Sequence, residues 1–177
     1  MAHYSPYFPN PRGFGVDEYP VPSGANVSWV NMIHRHGSRY PEFNDDRAAA
    51  RELGKKIMAA KGKFNSSGPL EFLSDWTFML GGEILVPVGK QQLFDSGVLH
   101  YYHYGKLYPN NGSKIVVRST TQNRMLESAE YFLAGFFGLG WTQNATLELV
   151  IEEDGFNNTM AGSKACNHST WDIALHG

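Results

Sequence analysis

Three short β-branched or apolar runs, separated by stretches of helical spacing, constrain the fold of this chain more than any other feature. They lie at residues 27–33 (VSWVNMI), 114–117 (KIVV) and 146–152 (TLELVIE). Between the first two, Ala49, Leu53 and Ile57 recur every fourth residue, predicting a helix over 45–61. Asn44 or Asp45 can cap it and Gly62 can stop it. Residues 62–69 read as a Gly/Ser/Asn loop, and a second helix opens on Pro87 and runs to 107. After the second run, the hydroxyls of Ser119, Thr120 and Thr121 can cap a third helix ending at Phe137. The order strand, helix, helix, strand, helix, strand predicts an α/β sheet with crossover helices. Residues 1–26, rich in Pro, Gly and Tyr and without any period, read as an extended arm lying on a unit at 27–177. Residues 153–177 read as loop, and no internal repeat is visible.

Composition narrows the classes of partner. The chain has 177 residues, with 15 Lys+Arg against 17 Asp+Glu, so no basic block is available to neutralise nucleic-acid phosphates. Its longest apolar run, residues 131–141, has about half the roughly 20 residues of a membrane span. A hydrophobic share of 42% is that of a globular protein rather than a disordered tail. The one cysteine, Cys166, points to a reducing compartment. Asparagine usage points the other way. Asn-x-Ser/Thr sequons begin at Asn26, Asn65, Asn111, Asn144, Asn157 and Asn167, six where chance gives about one or two. A glycosylated, secreted or cell-wall protein is expected. The amino terminus, Met1-Ala-His-Tyr-Ser-Pro, shows no charged region followed by an apolar one, so no signal peptide is visible.

The first run ends in His34-Arg35-His36-Gly37-Ser38-Arg39-Tyr40-Pro41. In an open α/β sheet, ligands bind at the carboxyl ends of strands, which is where this loop falls. Arg35 and Arg39 carry planar forks of donors suited to phosphate oxygens. His36, between them, has an imidazole that is nucleophilic when neutral. Gly37 lets the backbone pass close to an anion, and Pro41 keeps the loop from joining the strand.

Read as Arg-His-Gly-x-Arg-x-Pro, residues 35–41 resemble the signature of the histidine acid phosphatases. Five fixed residue types at roughly 5% each recur by chance about once in a few million positions. Residues 81–97 (GGEILVPVGKQQLFDSG) are similar to the segment after the first helices of fungal phytases and acid phosphatases. Val117-Arg118-Ser119-Thr120, then Arg124, Ser128 and Ala129, are similar to their second phosphate-pocket strand and helix. Tyr4-Ser-Pro-Tyr-Phe8 and Asn157-Asn-Thr159 add to the likeness, which covers nearly all of this chain but only the amino-terminal part of the family's domain.

The resemblance implies a phosphoglycerate-mutase-like three-layer α/β sandwich, incomplete here. It implies hydrolysis of phosphomonoesters, extending to inositol hexakisphosphate, through a phosphohistidine at His36. Arg35 and Arg39 would hold the phosphoryl group, and Arg118 takes the role of the third pocket arginine. Arg124, inside the third helix, is as readily read as helix packing or an ion pair with Glu127. No metal or organic cofactor is required.

The family also protonates the leaving alkoxide from the acid of a late His-Asp or His-Glu pair. The seven histidines here are followed by Tyr, Arg, Gly, Tyr, Tyr, Ser and Gly, so this chain offers no such proton donor. General-acid catalysis is worth about 10²–10⁴-fold, so phosphate binding would outlast turnover. Cys166 stands where the family has a cysteine bridged to the distal part of its domain, and Ala25 where relatives often have another. A fragment with little activity of its own is expected. Two alternatives stay open: a non-catalytic phosphate-binding glycoprotein, and a phosphoglycerate-mutase-like enzyme.

Other residues have plainer readings. His100 and His103 share a helix with Tyr101, Tyr102 and Tyr104 and read as an aromatic face rather than a metal pair. Phe72, Trp76 and Phe78 read as core. Lys55, Lys56, Lys61 and Lys63 read as a solvated helix end.

Overall fold

A computed structural model describes residues 21–41, 48–79 and 81–162. The expected cap at Asn44 or Asp45, most of the amino-terminal arm, Cys166 and Asn167 lie outside the described residues. Four longer elements carry the fold: helix α1 (Ala48–Ala60), helix α2 (Pro87–Tyr104), strand β1 (Ile115–Thr120) and helix α3 (Asn123–Phe137). Strand β2 (Ala145–Val150) follows, and short 3-10 turns occupy Gly68–Ser74, Gly105–Leu107 and Trp141–Gln143.

Strands β1 and β2 pair in parallel, with Ile115 opposite Ala145 and Arg118 opposite Glu148. Parallel neighbours need a crossover, and α3 supplies it. The expected caps of α3 are not used. β1 runs on through Ser119 and Thr120, so their hydroxyls belong to a strand, and Gln122 takes the cap position without a side-chain bond. The Thr121 hydroxyl instead accepts the Glu152 N–H at 3.0 Å, tying the segment after β2 to that after β1.

α2 packs along α3 with almost no side-chain layer between them. A Cβ added at Gly97 would lie 2.1 Å from the Phe132 carbonyl oxygen, and one at Gly135 would lie 2.1 Å from that of Phe94. Reciprocal glycines let the backbones approach, and the aromatics flanking them close the seam. Phe136 meets Tyr101 edge-on at 5.6 Å, and Phe132 meets His100 at 5.4 Å. His100 thus sits in the aromatic face expected from the sequence. Leu93 and Leu133 are buried at the same seam. Beyond β2, buried Asn158 ties residues 160 and 161 back to the end of the strand. Its amide donates to the Ile151 carbonyl at 3.0 Å, and its carbonyl accepts from Met160 N–H at 2.9 Å.

Two expectations fail. Residues 27–33 form no strand: their β-prone side chains are present, but no described segment pairs with them, and Trp29 is 76% exposed. The helix expected over 45–61 is present as α1, with Leu53 exposed, and Gly62 follows its end with φ of 78°. Phe72 is exposed rather than core, while Trp76 packs edge-on against Phe78 at 6.2 Å. The described part of the sheet is two strands, a portion of the α/β arrangement that was expected.

Candidate active site

The loop at residues 35–41 is clamped between the starts of α2 and α3. Gly37 donates its N–H to Ser128 Oγ on α3 at 3.1 Å, and Ser128 Oγ donates to the Arg124 carbonyl. Ser38 donates from both N–H and hydroxyl to Gln92 Oε1 on α2, at 3.1 and 2.9 Å. Glycines make the approach possible. A Cβ at Gly89 would sit 2.0 Å from the Ser38 carbonyl oxygen, and one at Gly37 would sit 2.3 Å from that of Gly89. On its other side the loop pairs with the segment before α2. Val86 N–H donates to the Ser38 carbonyl and Tyr40 N–H to the Ile84 carbonyl, both at 3.0 Å, around an antiparallel bridge between Arg39 and Leu85.

His36 is half-buried in this frame. Its Nδ1 lies 2.8 Å from the Gly37 carbonyl, an acceptor only, so Nδ1 carries the proton and donates. The lone pair is therefore on Nε2, towards which Arg39 Nε–H points at 3.5 Å. Burial lowers the His36 pKa from its ordinary value. The Gly37 carbonyl opposes that, and the charges of Arg35, Arg39 and Arg124 add to the lowering. Both effects favour a neutral imidazole with an available Nε2. Such a group is a nucleophile facing cations, suited to an electrophile that carries negative oxygens.

The arginines fall in two places. Arg35 and Arg39 flank His36 as the motif requires, and Arg39 also donates from Nη1 to the Tyr40 carbonyl at 3.0 Å. Arg118 lies on β1 with an exposed side chain, and its Nε donates to Glu148 Oε2 at 2.9 Å across the strand pair. The third cation acting on His36 is Arg124, at the start of α3 and only 15% exposed. The ion pair anticipated between Arg124 and Glu127 is replaced by one with Glu83 at 3.5 Å, while Glu127 meets Lys90 at 3.1 Å. Sequence reasoning missed Ser128, Gln92 and Glu83 as supports of the loop. For Ser128 the signal was its (i, i+4) spacing from Arg124, which puts both on one helix face. Gln92 and Glu83 carry no comparable local signal.

His34 is strand-end structure without a strand. Its Nδ1–H donates to the Arg35 carbonyl at 2.7 Å, and its Nε2 is 2.9 Å from Ser96 Oγ. Among the described residues no group of three or more His, Cys, Asp or Glu could hold a metal ion, and no helix is long and apolar enough to cross a membrane. Of the sequon asparagines, Asn26, Asn65, Asn111 and Asn157 are exposed. Asn144 is half-buried and accepts from the Tyr108 hydroxyl at 3.0 Å.

Comparison with known proteins shows the family. The family model for the histidine phosphatase superfamily (branch 2) matches residues 26–176. The chain is 30% identical over 169 residues to Phytase A of Arthroderma benhamiae, covering 94% of this chain and 36% of that protein. It is 31% identical over 176 residues to Phytase A of Emericella nidulans, covering 96% and 35%. It is 25% identical over 176 residues to Phytase PHO112 of Candida albicans, covering 88% and 36%. The chain thus spans about a third of the length of these relatives. The family match takes in the loop, its clamping helices and both strands, and on that extent the chain belongs to the histidine phosphatase superfamily (branch 2).

Proposed function

We propose that His36 transfers the phosphoryl group of a phosphomonoester to water. One observation carries this reading: an Nδ1-protonated, half-buried imidazole whose Nε2 lone pair lies among the charges of three arginines. Nε2 attacks phosphorus, the P–O ester bond breaks, and the leaving oxygen takes its proton from solvent water, since the chain holds no His-Asp or His-Glu acid. Water then attacks the phosphohistidine, releasing inorganic phosphate and restoring neutral His36. Arg35, Arg39 and Arg124 stabilise the charge on the transferring oxygens, and losing one such donor costs about 10²–10³ in rate. Arg118, engaged by Glu148, is assigned no phosphate contact here.

The relatives' names point to phytate, and a three-arginine pocket suits a polyanionic ester as well as a simple one. The sequons, four of them on exposed asparagines, support a secreted glycoprotein. The test is phosphomonoesterase assay of the full gene product beside His36→Ala, with alkali-quenched mass spectrometry for base-stable phosphate on His36. Activity and label both vanish in the variant if the reading is right. Activity retained by His36→Ala overturns it, and tight phosphate binding without turnover favours a non-catalytic phosphate-binding glycoprotein.

A further inference from the structure

Glu83 combines two features that no hydrolytic step requires. Its φ is 62°, in the left-handed region where side chains other than Asn and Asp are rare. Its carboxylate lies 3.5 Å from Arg124 Nη1. The backbone around it is tied to the phosphate loop: Glu83 N–H donates to the Pro41 carbonyl at 3.1 Å, and Tyr40 N–H donates to the Ile84 carbonyl at 3.0 Å. Asparagine or glycine would take this turn at lower cost, so strain held by an acidic residue points to use of its side chain. Arg124 shares its surroundings with the charges of Arg35 and Arg39, and like charge drives it away from them. A carboxylate fixed on the neighbouring loop counters that repulsion.

We propose that Glu83 is a positioning residue that holds Arg124 in the phosphate pocket. The proposal rests on the phosphoryl-transfer reading of the His36 site. Glu83→Asn keeps the left-handed turn and removes the charge, and Glu83→Asp keeps both. The experiment titrates the full chain and both variants with inorganic phosphate by calorimetry. It also follows the Arg124 Nε–Hε resonance by NMR and thermal unfolding by circular dichroism. Glu83→Asn binds phosphate about tenfold more weakly, moves the Arg124 resonance and unfolds at the same or a higher temperature. Glu83→Asp stays within about threefold of the parent. A merely structural Glu83 would lower the unfolding temperature in Glu83→Asn and leave phosphate affinity within about twofold, which overturns the proposal. If the parent binds no phosphate, the reading of the His36 site fails separately. An Arg124 resonance unmoved in Glu83→Asn then overturns the positioning role as well.

Discussion

At the residue scale, the site is decided by where one proton sits. The Gly37 carbonyl at 2.8 Å fixes the proton of His36 on Nδ1, and burial resists a second proton on Nε2. The three arginine charges resist it further, so His36 titrates below the 6.5 of an unperturbed imidazole. The sign for stability follows. The folded state binds this proton less readily than the unfolded chain, so the contribution of His36 is fully present above 6.5 and is lost as pH falls through the folded midpoint. NMR titration of the His36 ring should give a midpoint under 6.5, and Arg39→Ala should raise it. A midpoint at or above 6.5 would mean that burial and the arginine charges do not outweigh the Gly37 carbonyl, and the neutral-nucleophile assignment would lose its support.

At the scale of elements, the seam between α2 and α3 sets the distance between the two helices that grip the loop at residues 35–41. Gly97 and Gly135 each face a carbonyl oxygen of the other helix, so an added methyl group has only backbone to displace. Gly97→Ala should cost about 2 kcal/mol, measured by denaturant unfolding, and should weaken phosphate binding, since Gln92 and Ser128 would no longer meet the loop together. Gly162→Ala is the control, because a Cβ there meets nothing within 4 Å. Unchanged stability in Gly97→Ala would show that the helices part without cost. This seam also shows where sequence reading stops. The spans of α2, α3 and β2 follow from Pro87, from the apolar period and from β-branched residues, all local signals. That Gly97 faces Phe132, or that the charge of Arg124 acts on His36, depends on how separate elements meet. Arg118 sits on a strand, and the register that sets it opposite Glu148 is not written in either strand alone.

At the scale of the whole molecule, the same distinction governs the strand that did not form. Residues 27–33 have the β-branched and apolar side chains of a strand, yet a ladder belongs to two segments, and none of the described residues supplies the second. The motif loop keeps its shape regardless, because α2, α3 and residues 83–86 hold it from the other side. The chain contains no His-Asp or His-Glu pair, so under the proposed phosphoryl-transfer reading the attack on phosphorus and the protonation of the leaving group should be separable. A phenolate such as p-nitrophenolate departs from phosphorus without being protonated, whereas an alkoxide needs a proton as the bond breaks. The purified chain should phosphorylate His36 from p-nitrophenyl phosphate faster than from a simple alkyl phosphate by about 10²–10⁴-fold, the usual worth of a general acid. Rapid-quench measurement of phosphohistidine formation with the two esters checks this directly. Equal rates would mean that some acid within these 177 residues protonates the leaving group. Glu83, whose carboxylate is 3.5 Å from Arg124, would then be the first residue to test in that role.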